Sequence, residues 1–353
     1  RYSLFGHTAI RYEDPANGID AVFNYGLFSF NTPNFILRFS LGETDYQLGA
    51  TDYARFAAEY AFDGRSVWQQ TLNLSKEEKA ELIRLLQENY LPENRVYRYN
   101  FFYDNCATRP RDKIEESIDG KVIYPAEPQD GSLSFRDIVH QYCKGHPWAR
   151  FGIDLCIGSE ADRPITQRQM MFAPFYLMDA FAGAQIVHDS VQRPLVSGKE
   201  LIVDALPEEE EGGWMPTPFQ CSLLLFILTA AATIYSIRKR TGLWGVDLIL
   251  FGAAGIVGCV LAFLALFSEH PAVSSNFLLL VFHPGQLLLL PYIIYCVRKG
   301  KKCWYLTLNL VVLTLFMVLF PLIPQRFDFA VVPLALCLLI RSASNLILTS
   351  KKK

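Results

Sequence analysis

Acidic side chains are scarce in the C-terminal part of this sequence. Of the 35 Asp and Glu residues in the 353-residue chain, 3 lie in residues 219–353, together with 12 of the 33 Lys and Arg residues. That part therefore has a net charge of +9 and residues 1–218 a net charge of −11, a division hidden by the overall −2. An acidic N-terminal part repels phosphate groups, which argues against a nucleic-acid partner.

Metal-ligand spacing is also missing. Among the 6 histidines, His140, His146 and His188 are not spaced as zinc ligands usually are. We therefore expect no metal ion and no other cofactor. The sequence has no internal repeat, and its only low-complexity tract is the glutamate run at 208–211, which is typical of a solvated spacer.

Five apolar runs are long enough to cross a bilayer, for which about 20 residues suffice. They are approximately residues 219–237, 243–267, 277–297, 304–322 and 329–348. Ten basic residues lie after the first run, after the third run and at the C-terminus, all on one side of the membrane. The positive-inside rule places that side in the cytoplasm.

This topology predicts three parts in a protein of the bacterial inner membrane. They are an extracytoplasmic (periplasmic) domain at 1–206, an acidic linker at 207–218 and a transmembrane domain at 219–353, with the C-terminus in the cytoplasm. An exported domain requires an export signal, and the sequence begins at Arg1, so we expect that a signal segment was removed or omitted.

Three of the 8 cysteines lie in the predicted exported domain: Cys106, Cys143 and Cys156. The other five lie in or beside the apolar runs and are interpreted as packing residues. Cys143 and Cys156 could form a disulfide in an oxidising compartment, which would leave Cys106 as the odd thiol. Spacing alone does not decide between a disulfide and two free thiols.

Alternating residues at 4–12 and 21–30 predict two antiparallel strands joined by the turn residues 13–18. A turn centred near Pro15 places His7 opposite about Asn24. Residues 35–39 and 46–48 are interpreted as further short strands, and 145–152 as a loop.

A capping-box pattern formed by Ser75 and Glu78 predicts a helix over 76–91. A strand over 95–103 is predicted to lead to Cys106, and a helix over 111–118 to follow it. A helix rich in Met and Phe at 165–187 either packs in the core or cradles acyl chains.

Cys106 therefore lies at a predicted strand-to-helix junction. The unpaired N–H groups of a helix N-terminus and an imidazole such as that of His7 both favour a reactive thiolate. The same N–H groups could hold an oxyanion, although Pro110 indicates that the helix is kinked or starts later. A buried structural cysteine is the alternative, but the polar neighbours of Cys106 favour a reactive thiol.

Three stretches resemble the Lnb-type lipoprotein N-acyltransferases: GHTAIR at 6–11, PENRVY at 92–97 and DNCATRPRD at 104–112. The layout of an exported domain followed by membrane spans is similar too. These proteins look like circularly permuted relatives of the NlpC/P60 thiol hydrolases, in which the His precedes the Cys. The resemblance implies an α+β fold, with a permuted NlpC/P60-like (papain-like) thiol domain containing an antiparallel sheet, followed by five transmembrane helices.

The resemblance also implies acyl transfer. Cys106 would take an acyl chain from a glycerophospholipid as a thioester, with His7 as general base. The acceptor would be the α-amine of the diacylglyceryl-cysteine of a bacterial lipoprotein. The implied partners are thus the phospholipid donor, the diacylated lipoprotein and the lipid bilayer.

The remaining site candidates each have two interpretations. Asn24 could orient His7, with Asp20 as the other candidate, and Tyr25 either donates to the oxyanion or packs in the core. The other substrate or oxyanion candidates are Asp104, Asn105, Arg109 and Arg111. The two arginines could hold a lipid phosphate, or they could form ion pairs with carboxylates such as Asp112 and Glu115.

His283, with Pro284 and Pro291 nearby, either lines an opening for lipid or packs within the membrane domain. Two other functions stay open for the whole chain. One is a cell-wall peptidase or amidase of the NlpC/P60 kind, for which five spans are more than an anchor requires. The other is a non-catalytic binding domain tethered to the membrane.

Overall fold

The structure is a computed structural model that describes residues 4–28, 33–126, 133–189, 191–204 and 215–350. Its contacts divide the chain into two units. The N-terminal unit comprises Arg1–Tyr142 and Pro164–Gly213, and the membrane unit comprises Cys143–Arg163 and Trp214–Lys353. Residues 143–163 thus belong with the membrane unit although they fall inside the predicted exported domain. Most of the predicted acidic linker lies outside the described residues.

The N-terminal unit is built on antiparallel sheets, which confirms the predicted α+β class. A four-stranded sheet has the order β1-β2-β3-β5, and β4 pairs with β9 while β6, β7 and β8 form a third sheet. The strands are β1 (Ala9–Asp14), β2 (Ile19–Leu27), β3 (Asp45–Asp52), β4 (Val67–Leu72), β5 (Val96–Arg98), β6 (Lys121–Ile123), β7 (Gln185–His188), β8 (Val191–Pro194) and β9 (Val196–Val203).

Helices cover this sheet system. They are α1 (Phe35–Leu41), α2 (Tyr53–Phe62), α3 (Lys76–Tyr90), α4 (Thr108–Ser117), α5 (Phe135–Tyr142), α7 (Gln167–Met170) and α8 (Pro174–Gly183), with α6 (Pro147–Cys156) in the membrane unit. The predicted capping box of α3 is confirmed: Ser75 Oγ accepts from the N–H of Glu78 at 3.1 Å, and Glu78 accepts from the N–H of Ser75 at 2.7 Å.

Strand β2 has two different faces, and this alternation positions the candidate site. Phe23 and Tyr25 enter the core together with residues of β3 and α3, such as Leu48 and Leu86. Asn24 and Gly26 face the other way, because successive side chains of a strand alternate between its faces. The predicted hairpin forms, but Ala9 rather than His7 lies opposite Asn24. His7 therefore precedes the strand.

Several predicted elements differ from the structure. Residues 35–39 form helix α1 instead of a strand, bounded by the left-handed residues Asn34 (φ 54°) and Gly42 (φ 77°). Residues 145–152 contribute to α6, because Pro147 at the first helical position suits a helix start. The predicted helix 165–187 is split into α7 and α8, with Pro174 beginning the second piece, and ends in β7. Predicted strand 95–103 is reduced to β5.

Among the described residues of the membrane unit, four helices are long and apolar enough to cross a membrane. They are α9 (Pro218–Lys239), α10 (Trp244–Phe267), α14 (Trp304–Leu319, extended by a 3₁₀ turn to Leu322) and α15 (Val331–Ser350). These agree with four of the five predicted spans. A buried ion pair joins two of them, with Arg341 Nε 2.7 Å from an oxygen of Asp247.

The third predicted span, 277–297, is not one helix. It follows the short helix α11 (Pro271–Ser274) and consists of a 3₁₀ turn at Phe277–Leu280, then α12 (Gly285–Leu288) and α13 (Leu290–Lys299). Pro284 and Pro291 cannot donate the backbone hydrogen bonds of a continuous helix. Gly258 of α10 lies against this break, since a Cβ there would come within 2.4 Å of the His283 backbone. The His283 ring hydrogen-bonds to Tyr305 at 3.2 Å.

Residues 143–163 bind to two loops of the membrane unit. The N–H of Gly158 donates to the carbonyl of Ala272 at 2.7 Å, and Arg150 pairs with Asp328 at 3.2 Å. Phe151 and Leu155 pack against the apolar core of the spans. Apolar packing and backbone hydrogen bonds together explain why this segment groups with the membrane unit.

The disulfide considered for Cys143 and Cys156 is not formed, and both are free thiols. Cys143 precedes α6, and Cys156 is its last residue. A helix of this length extends about 15 Å at 1.5 Å per residue. A disulfide requires the two Cα atoms to lie within about 7 Å of each other.

Candidate active site

The imidazole of His7 is held by strand β2. His7 lies two residues before β1, and its Nε2 is 3.1 Å from Oδ1 of Asn24. Asn24 is buried, with 6 % of its surface exposed. An amide carbonyl at this distance fixes the ring orientation and accepts a hydrogen bond from the N–H that an imidazolium carries on that nitrogen.

The thiol of Cys106 lies beside His7, just before helix α4. The side chains of Cys106 and His7 hydrogen-bond to each other, and the backbone N–H of Thr8 donates to the sulfur. The structure therefore brings the three predicted catalytic residues together, although 82 to 99 positions of sequence separate Cys106 from the other two.

The electrostatics favour a thiolate–imidazolium pair. Burial alone would raise the pKa of Cys106, but the charge and hydrogen bond of His7 and the nearby backbone N–H groups outweigh it, so the pKa of this thiol is lowered. Burial would lower the pKa of His7, yet Cys106 and the Asn24 amide act more strongly in the opposite direction and raise it. A thiolate is the nucleophilic form of cysteine.

Asn105 caps the helix that follows the nucleophile. Its Oδ1 accepts from the N–H groups of Ala107 at 2.8 Å and Thr108 at 3.0 Å. Its amide nitrogen donates to the carbonyls of Phe101 and Phe172, at 2.8 and 2.9 Å. The amide of Asn105 is thereby engaged within the protein, so the structure gives it a capping role.

The position at which helix α4 begins explains how Pro110 is tolerated. Helix α4 begins at Thr108, which places Pro110 in its first turn. N–H groups in the first turn have no partner within a helix, so a proline costs little there.

The charged candidates near Cys106 are paired with one another. Arg109 makes two hydrogen bonds with Asp104, at 2.6 and 2.7 Å, and its guanidinium lies 3.6 Å from the centre of the Tyr97 ring. Arg111 is buried and bonds to Asp112 at 2.9 Å and to the Arg168 carbonyl at 2.9 Å. For both arginines the structure favours pairing with carboxylates over holding a phosphate.

Tyr25 and Asp20 do not reach the thiol. Tyr25 has no exposed surface, and its hydroxyl donates to Asn89 at 2.6 Å on the core side of the sheet. Asp20 forms two hydrogen bonds of 2.8 Å with Arg11. Tyr25 is a core residue, and Asn24 is the residue that contacts His7.

Sequence reasoning missed Gly26. Its backbone has φ +91°, at an irregularity in the pairing of β2 with β3. A Cβ at this position would lie 3.4 Å from Cβ of Cys106 and 3.9 Å from Cε1 of His7. A glycine inside a strand pattern is the only sequence signal for such a close approach.

Fold and site together define a class of protein: an α+β domain with a paired cysteine and histidine, in which the histidine precedes the cysteine, joined to apolar helices long enough to span a membrane. Residues 1–130 match the family model described as the Lnb N-terminal periplasmic domain, and residues 209–353 match the Lnb transmembrane domain. These two matches span more than three quarters of the chain. The chain belongs to the Lnb family.

Family membership makes this chain a lipoprotein-processing membrane protein with an N-terminal periplasmic part. Searches of curated proteins and of solved structures found no match.

Replacing Gly26 tests the close approach at the thiol. We expect Gly26→Ala to lower stability by about 1 kcal/mol through backbone strain. We also expect alkylation of Cys106 by iodoacetamide, followed by peptide mass spectrometry, to slow by about tenfold because the new methyl fills the space beside the Cys106 side chain through which the reagent would approach. Gly18→Ala is the control, since Gly18 has φ +67° and open space around it. Equal alkylation rates in the two variants would contradict the assignment of Gly26 to the site.

The paired pKa shifts predict a distinctive pH dependence. The thiolate fraction of Cys106 grows as pH rises through its lowered pKa, so its alkylation should reach half its maximum below the pH typical of cysteine. In His7→Ala burial remains without the opposing charge, so this midpoint should move above the ordinary value. Cys156, whose pKa is raised by burial, should keep its midpoint in both proteins. An unchanged Cys106 midpoint in His7→Ala would contradict the pairing.

Proposed function

We propose that this protein is a cysteine-dependent N-acyltransferase. It moves an acyl chain from a glycerophospholipid, through a thioester on Cys106, to the N-terminal α-amine of diacylglyceryl-cysteine on bacterial lipoproteins. The observation that carries this proposal is the juxtaposition of the Cys106 and His7 side chains, with Asn24 holding the imidazole, in a chain of the Lnb family.

The first half-reaction forms the thioester. The Cys106 thiolate attacks the ester carbonyl carbon, and a C–S bond forms while the carbonyl oxygen takes up negative charge. The C–O bond to glycerol then breaks as the imidazolium of His7 gives its proton to the departing oxygen. Lysophospholipid leaves, and His7 is neutral.

The second half-reaction transfers the acyl group. The α-amine of the lipoprotein attacks the thioester carbon, a C–N bond forms, and neutral His7 takes the proton that the amine loses. Breaking the C–S bond restores the thiolate beside an imidazolium. Each half-reaction leaves His7 in the protonation state that the other requires, so one base serves both.

An exposed apolar surface beside the thiol supports a lipid donor. We call it the apolar rim: Leu27, Phe28, Ile36, Leu37 and Phe39. It begins one residue after Gly26, and the Phe28 ring stacks on Phe35 of α1 at 5.2 Å. Helix α1 has no buried residue. An acyl chain would cover this surface, whereas a peptidoglycan peptide would offer little apolar area.

The contacts of residues 143–163 support the proposed topology. This segment lies between the two parts of the N-terminal unit in the sequence and binds the connections that include Ala272 and Asp328. Both connections lie on the side of the spans where basic residues are scarce, and one has a single arginine, Arg326. We propose that this side faces the periplasm and that the C-terminus is cytoplasmic.

The peptidase or amidase and the non-catalytic binding domain remain the alternatives. Both share the thiol fold, but neither accounts for the apolar rim next to the nucleophile. A peptidase would cleave peptidoglycan fragments without phospholipid, and a binding domain would not acquire an acyl group on Cys106.

The decisive experiment incubates the full-length protein with phospholipid vesicles and measures acyl-Cys106 by mass spectrometry. We expect wild type to gain one acyl chain and to triacylate a diacylated lipopeptide. Cys106→Ser should lose both activities, and His7→Ala should lower both rates by about 100-fold or more. Cys156→Ser is the control thiol variant. Triacylation at the wild-type rate by Cys106→Ser would overturn the proposal.

Replacing a rim residue tests the lipid donor. Ile36 is 81 % exposed, so Ile36→Ser should leave stability unchanged. We expect the phospholipid concentration for half-maximal thioester formation to rise about tenfold, which corresponds to about 1.4 kcal/mol of lost apolar contact. Phe62→Ser removes an apolar side chain that is 91 % exposed on α2 and should have no effect. Equal behaviour of the two variants would remove the rim from the donor site.

A further inference from the structure

Attack on an ester places negative charge on the carbonyl oxygen, and this charge requires a hydrogen-bond donor. The first turn of α4 does not provide one. The N–H groups of Ala107 and Thr108 donate to the Asn105 side chain, and that of Arg109 donates to the Asn105 carbonyl at 3.2 Å. Pro110 has no N–H.

Two further backbone donors lie near the sulfur, those of Thr8 and of Cys106 itself. Both point to the Cys106 sulfur and lower the pKa of its thiol. They stabilise the charge on the nucleophile before it reacts. The oxyanion of the tetrahedral intermediate therefore needs a donor from another part of the site.

Tyr97 of β5 has a hydroxyl suited to this task. Its side chain is 6 % exposed, and among the described residues its buried oxygen has no hydrogen-bond partner. A buried hydroxyl without a partner costs about 1–3 kcal/mol. A substrate oxygen that accepts from Tyr97 would remove this cost when it binds.

The hydroxyl borders the same space as the nucleophile. The position of a Cβ built on Gly26 lies 4.0 Å from the Tyr97 oxygen and 3.4 Å from Cβ of Cys106. Glycine leaves this volume open between the two side chains. A carbonyl group placed there would lie beside both the Cys106 side chain and the Tyr97 phenol.

Neighbouring groups hold the Tyr97 ring in place. The Arg109 guanidinium lies 3.6 Å from the ring centre, and Asp104 holds Arg109 through two hydrogen bonds. On the other side the Tyr25 ring is 6.2 Å away, edge to face. Burial raises the pKa of Tyr97 well above its ordinary value, so the phenol keeps its proton and remains a donor.

We propose that Tyr97 is a catalytic residue of the acyl transfer, whose hydroxyl donates a hydrogen bond to the substrate carbonyl oxygen. The bond strengthens as the C–S bond forms and the oxygen becomes an alkoxide. The same donor serves the thioester oxygen when the amine attacks. Asp104 and Arg109 are positioning residues for the Tyr97 ring. This inference rests on the proposed function.

The test is Tyr97→Phe in the full-length protein, with phospholipid vesicles and a diacylated lipopeptide. We expect the maximal rate of acyl-Cys106 formation to fall by about 100-fold, as when an oxyanion donor is removed elsewhere, with the half-saturating phospholipid concentration changed less than threefold. Tyr25→Phe is the matched control, since it removes a neighbouring buried tyrosine hydroxyl that already donates to Asn89, and it should retain the wild-type rate.

Alkylation separates a catalytic role from a structural one. Iodoacetamide reacts with Cys106 by displacement at carbon and forms no oxyanion, so Tyr97→Phe should keep the wild-type alkylation rate and melting temperature. A maximal acylation rate within twofold of wild type would overturn the role of Tyr97. So would equal losses of alkylation and acylation. Failure of the proposed function itself would appear separately, as an active Cys106→Ser protein.

Discussion

The pairing of Cys106 with His7 is the interaction on which the candidate site depends. Each side chain supplies the charge that the other needs: burial alone would leave the thiol protonated and the imidazole neutral. Strand β2 holds the imidazole through Asn24, and helix α4 places the sulfur. The hairpin, the β2 irregularity at Gly26 and the cap of α4 all bring these two groups into one small polar space. The remaining architecture of the N-terminal unit supports this geometry.

The cysteine and the histidine of the candidate site could be predicted from the sequence. A cysteine among polar neighbours and a histidine in a recognisable motif pointed to the site, and hairpin register pointed to Asn24. The proposed role of Tyr97 could not be predicted in this way. A tyrosine is usually a core residue, as Tyr25 is, so nothing in the sequence separated Tyr97 from it. Both rings belong to the same core cluster, and they differ in their hydroxyl groups: that of Tyr25 donates to Asn89, whereas that of Tyr97 has no partner among the described residues and lies near Gly26.

The limits of the fold prediction have a similar cause. Long amphipathic or apolar stretches, such as α3 and α10, were located well because their pattern repeats over many residues. Short elements were not, because a mostly apolar five-residue stretch such as residues 35–39 fits a strand or a helix, and here left-handed residues at both ends bound a helix. Apolar composition also does not reveal the break at Pro284, where neighbouring helices must shield the freed backbone groups from lipid.

The cap of the nucleophile helix has a consequence for biogenesis. Asn105 is fixed in part by the carbonyl of Phe172, and Arg111 by that of Arg168, residues that follow about 60 positions later. During synthesis and export Cys106 therefore emerges well before the segment that completes its surroundings. Until that segment is synthesised, Asn105 and Arg111 lack these two contacts. The order of the chain thus leaves the surroundings of Cys106 incomplete until about 60 further residues are present.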